Sequence, residues 1–135
     1  MSHAIAALEA AAGARRPIII LSAPNAGICA GSGWFKALVD AARAAVPAAD
    51  AVFMLDCGDD AGAAQGALRA GVETVIFAGR VDVAERLAAI AVAKGLRLPI
   101  ARPDAGLDLG RWFFADIETL RRRSAAYLAP PKVIC

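Results

Sequence analysis

Four groups of residues in this chain have types and spacings that suit chemistry. The first is Asn25, Gly27, Gly31, Ser32 and Gly33, inside an uncharged stretch from Ser22 to Gly33. Glycines there allow tight turns and expose backbone N–H groups, and Ser32 sits where a helix cap belongs, so this loop suits a phosphate or carboxylate. The second is Arg80 and Arg102, each two residues before an Asp and each placed after an apolar run. Two forked donors on one rim suit the same anions. The competing reading pairs each Arg with its neighbouring Asp82 or Asp104. The third group is Asp56, Cys57, Asp59 and Asp60. Asp56 and Cys57 are weak candidates for a reactive acid and nucleophile, and Asp56 with Asp59 or Asp60 for a magnesium site, against the simpler expectation that Asp59 or Asp60 caps a helix. The fourth is Cys29, which joins Cys57 as a candidate thiol, although free cysteine commonly packs as a small hydrophobe.

Other chemistry is excluded by composition. His3 is the only histidine and the cysteines, Cys29, Cys57 and Cys135, form no CxxC, so no zinc is expected, and beyond the weak magnesium candidate no metal site is assigned. Three unpaired thiols and the lack of a charged N-terminal leader point to the cytoplasm. A net charge of +2 makes nucleic acid an unlikely partner. Residues 17–35 carry no charge, but Pro17, Pro24 and several glycines break them up, so a membrane span is not expected.

These residues must be positioned by an α/β framework. Residues 18–22, 51–55, 73–78 and, more weakly, 96–101 are apolar runs that read as strands buried on both faces. Between them lie alanine-rich helical stretches at 34–46 and 60–70, and one opening on an Asp82–Glu85 capping box and ending at Lys94-Gly95. A short helix over 4–12 and a last one over 111–128, with Phe113, Ile117, Leu120 and Leu128 inward, flank them. The expectation is a single α/β domain over 1–129 with an extended tail at 130–135. It would be a three-layer α/β/α sandwich around a mainly parallel sheet of about four strands, Rossmann-like or flavodoxin-like. All four chemical groups then fall on the rim formed by the carboxyl ends of the strands, where open α/β sheets bind ligands.

The spacing Gly27-x-x-x-Gly31-x-Gly33 resembles the glycine pattern of short-chain dehydrogenases. That resemblance implies a nicotinamide nucleotide, with Asp56 on its ribose. It covers only this loop. Pro24 and Asn25 separate the strand from the first glycine, and the family's Tyr-x-x-x-Lys pair is missing, since Pro131 stands four residues after Tyr127. A nucleotide is thus a secondary expectation and the cofactor is otherwise unknown. The stretch Ala67–Phe77 also looks like βα-barrel enzymes, where an Ala-Gly step precedes a strand.

No nucleophile–base pair centred on histidine can be assembled, so whether the chain is an enzyme stays open. The leading expectation is a module that binds or senses a small anionic molecule. The alternatives are a small enzyme acting on a phosphorylated or carboxylated substrate, and a structural oligomer subunit. A homo-oligomer is expected because Trp112, Phe113, Phe114 and Tyr127 cannot all face one core. Val133 and Ile134 add apolar surface beyond the last helix.

Overall fold

The computed structural model describes residues 1–130, so the expected tail beyond Pro130 lies outside the described residues. The chain runs α1 (Ser2–Ala14), β1 (Ile18–Leu21), α2 (Ala26–Cys29), α3 (Ser32–Ala45), β2 (Ala51–Asp56), α4 (Ala61–Arg69), β3 (Thr74–Ile76), α5 (Val81–Ala93), a 3-10 turn (Leu109–Trp112) and α6 (Ile117–Leu128). The strands form one all-parallel sheet in the order β1-β2-β3, with Ile18 beside Ala51 and Met54 beside Thr74.

The fourth expected strand is reduced to one bridge. Thr74 pairs with Arg97, and the Arg97 and Pro99 carbonyls accept from the Val75 and Phe77 N–H groups. Pro99 has no N–H to return and Leu98 is flanked by Arg97, so the run 96–101 lacks the material of a full ladder.

The three-layer expectation is also corrected. Ile18, Ile20, Ala51, Phe53, Leu55, Val75 and Phe77 alternate onto one sheet face. They share a single core with α1 (Ala4, Leu8), α3 (Phe35, Val39, Ala42), α4 (Ala64, Ala67, Leu68) and α5 (Ala84, Leu87, Ala91). The opposite face carries Ile19, Leu21, Val52 and Met54 on β1 and β2; Ile19 is 57% exposed and the others are half-buried. Strand order explains this. Crossovers between sequential parallel strands that all step the same way are right-handed, so their helices fall on one side. The apolar, non-alternating strands that suggested two covered faces here have one covered face and one that is open over β1 and β2.

Local signals explain most helix ends. Asp60 caps α4, its Oδ1 accepting from the Ala63 N–H at 2.8 Å. Gly95 follows α5 at φ +69°, a left-handed conformation that glycine adopts at low cost. The expected Asp82 capping box does not form. Helix α5 starts at Val81, and the Asp82 carboxylate is taken by Arg80 instead. The expected helix over 111–128 is split: a 3-10 turn and a bend come first, and Asp116 then caps α6, its Oδ1 accepting from the Thr119 N–H at 2.7 Å. Phe113, expected inward, is left outside at 68% exposed.

Helix α6 packs on α1 and runs parallel to it. Arg121 near its start pairs with Glu9, and Arg16 donates to the Leu128 carbonyl at its end. No helix among the described residues is long and apolar enough to cross a membrane.

Candidate functional site

The carboxyl ends of β1 and β2 are joined by side chains. Asp56, the last residue of β2, is buried. Its N–H donates to Ser22 Oγ at 3.0 Å, just past β1. Its Oδ1 accepts from the Gly58 N–H at 2.8 Å, and its Oδ2 from Arg102 Nη1 at 2.7 Å. Arg102 Nη2 donates to the Ser22 carbonyl oxygen, also at 2.7 Å. Arg102 is carried by the chain that leaves the Arg97 bridge, and its side chain reaches back past β3 to β2 and β1.

The electrostatics follow from this wiring. Burial alone would raise the Asp56 carboxyl. The Arg102 guanidinium and the N–H groups of Gly58 and Asn25 outweigh it and hold the group below the usual carboxylate range. Asp56 is therefore an ionised anchor for Arg102, with both carboxylate oxygens already accepting hydrogen bonds. Arg102 has five N–H donors, of which two are bonded among the described residues. Its side chain is 30% exposed, so part of it is open at the rim while the two bonds restrain its orientation.

The glycine-rich loop closes over the same strand ends. Asn25 adopts φ +59° and precedes the short α2, and Gly27 lies against Cys57 and the Asp56 carbonyl so closely that a Cβ there would collide with Cys57 Sγ. Gly27 is thus a packing residue. Gly31, at φ +83°, precedes α3, which opens on Ser32 and Gly33. The first turn of α3 has no acidic residue and no side-chain cap; its first bonded amide is Phe35, which donates to the Gly31 carbonyl. Ser32, expected as the cap, is the first helical residue instead.

The other candidates are dispersed. Arg80 is 81% exposed and its Nε and Nη2 both bind Asp82, so it takes the local pairing. Arg102 does not; it passes over Asp104 in favour of Asp56. Cys57 is buried, and desolvation with the nearby Asp56 and Asp60 charges pushes its thiol up to about 11. A thiol so protonated at neutral pH is a poor nucleophile. Cys29 is exposed at the end of α2. Asp60 caps α4 through Oδ1, and among the described residues no group of three or more metal-ligating side chains comes together around it.

Ser22 was passed over in the sequence because it reads as a strand residue. Its only signal was a hydroxyl at the end of an apolar run. A surface groove of about 880 Å³ lies elsewhere, between α1 and α6.

The strands run in sequence order, so among the described residues there is no point where the order reverses and opens a crevice. Any ligand at this rim must be held by the side chains and amides named above. Comparison with protein-family models, with curated proteins and with solved structures finds no match for this chain.

Proposed function

We propose that the chain is a binding module for a small anionic molecule bearing a phosphate or carboxylate group, with Arg102 as its principal contact. The observation that carries this reading is the half-used fork of Arg102, clamped by Asp56 and the Ser22 carbonyl with three N–H groups left over at a partly open rim. A guanidinium fixed in this way loses little rotamer freedom when it binds, so more of each new bond is realised as affinity. The uncapped, acid-free start of α3 (Ser32, Gly33) leaves the loop after β1 suited to the same charge. Gly27, Gly31 and Asn25 shape that loop, and Arg80 plays a lesser part because Asp82 occupies it.

A binding role is favoured over catalysis because the two reactive-group candidates are held inert: Asp56 stays ionised on Arg102, and Cys57 stays a buried thiol. The doubly wound, Rossmann-like or flavodoxin-like reading, and with it a nucleotide, draws no support from a strand order without reversal. Free Cys29 and Cys57 suit a reducing compartment such as the cytoplasm.

Calorimetric titration with inorganic phosphate, phenyl phosphate and succinate tests the reading. Saturable binding of at least one of them by the native chain is expected. Heats indistinguishable from dilution for all three would refute it.

A further inference from the structure

Two features of the α1–α6 edge fit each other, yet one molecule cannot bring them together. The first is a projection. Phe113 and Phe114 stand edge to face, ring centres 5.0 Å apart, just ahead of the Asp116 cap of α6. They are 68% and 96% exposed, and Phe113 stacks on His3 at the start of α1. An adjacent pair of phenylalanines this open is rare on a surface without a partner. The second is the 880 Å³ groove further along the same two helices. Among the described residues its floor is Ala10, Gly13 and Ala14 of α1 and Ala125 and Ala129 around the end of α6, small residues that leave room between the helices, with Arg16, Leu128 and Pro130 at its far end. The Arg121–Glu9 pair closes one end.

We infer that this edge binds a second copy of the chain through a two-fold axis, each Phe113–Phe114 pair entering the other copy's α1–α6 groove. Projection and groove lie at opposite ends of α6. From Ile117 to Ala125 is eight residues, about 12 Å of helix. Setting two α6 helices antiparallel therefore lays each projection over the partner's groove twice by symmetry, the isologous arrangement of a closed dimer. Buried aromatics contribute roughly 150–250 Å² each. The exposed parts of four such rings together with the two groove linings reach on the order of 1,000 Å², the lower bound of a specific interface.

The charges around the projection favour protein over an anionic lipid surface. Arg111 has Asp108 at 3.7 Å, Arg123 lies over the Trp112 ring at 4.1 Å, and Arg122 faces Asp116. Asp108 and Asp116 offset Arg111 and Arg122, which leaves Arg123 as the one cation of this group without a carboxylate beside it, a small net charge to meet a membrane.

Sedimentation of the full chain at micromolar concentration tests the inference, alongside Phe113→Ser/Phe114→Ser and Ala125→Trp. The expected result is a dimer whose dissociation constant rises about 100-fold or more in both variants, with unchanged circular dichroism. The projection and the groove are altered separately, so a folding defect in one variant leaves the other to decide. A monomeric native chain overturns the inference, as does a dimer of native affinity in either folded variant. Flotation with phosphatidylserine vesicles adds a third arm: a monomer that binds vesicles through Phe113 and Phe114 would assign the projection to lipid and also overturn it.

Discussion

Arg102 and Asp56 are 46 positions apart in the chain and 2.7 Å apart in the fold. The carboxylate is almost wholly out of water, and the guanidinium that neutralises it also binds the Ser22 carbonyl, so one side chain ties the ends of β1 and β2 together. Removing either charge leaves the other without its partner in a poorly solvated place, which costs more than the pair contributes over an apolar substitute.

Arg102→Met is therefore expected to destabilise the chain by about 3 kcal/mol. The double variant Asp56→Leu/Arg102→Met should be more stable than Arg102→Met alone. Urea denaturation of the native chain and the variants measures this; additive losses would contradict the coupling.

The same pair sets an acid limit. The Asp56 carboxyl titrates below its ordinary value in the folded chain. Its contribution is therefore complete above the unfolded value of about 3.9 and is lost as pH falls through the folded value. The stability difference between the native chain and Asp56→Asn should shrink as pH drops from 5 toward 2, on the order of those limits. Urea midpoints across that range report it, and a constant difference would rule the pair out as the source.

Cys57 and Cys29 should separate sharply toward iodoacetamide. The buried Cys57 thiol, pushed up to about 11, is expected to resist modification in the folded chain, whereas Cys29, exposed to the reagent, is labelled first. Peptide mass mapping after timed quenching distinguishes them. Rapid labelling of Cys57 would reopen a nucleophilic role.

Gly27→Ala places a methyl group into Cys57 Sγ, with the Asp56 carbonyl also close. A cost of about 1–3 kcal/mol is expected, as for overpacking elsewhere. Cys57→Ala should recover part of it, because the sulfur is the first atom met. Thermal unfolding of the double-mutant cycle checks this; no recovery would point to the backbone of β2 instead.

Much of the fold was legible because it is written locally. The β-branched run at 18–21, the Phe35–Val39–Ala42 stripe and the Asp60 cap each involve residues a few positions apart. Cys57 as a packing thiol was legible for the same reason. The Arg102–Asp56 contact was not, because it depends on where the chain goes after an incomplete fourth strand. Nor was the open sheet face: one covered face or two depends on strand order, and an apolar run is compatible with both. The break before α6 was missed because Phe113, Ile117 and Leu120 fit a helical stripe, although the Asp116 cap, three residues before Thr119, was the stronger local signal.

The anion site is tested most directly by the Nε–H resonance of Arg102, followed by nitrogen-15 NMR while phenyl phosphate is added. Arg102 is expected to shift saturably, together with the amides of Ser32 and Gly33. Arg102→Lys should weaken binding by about 1.5–3 kcal/mol, whereas Arg80→Ala, a surface pair, should change it by less than about 0.5 kcal/mol. An Arg102 resonance unmoved at millimolar phenyl phosphate, phosphate and succinate, in a chain that remains folded, would contradict the account.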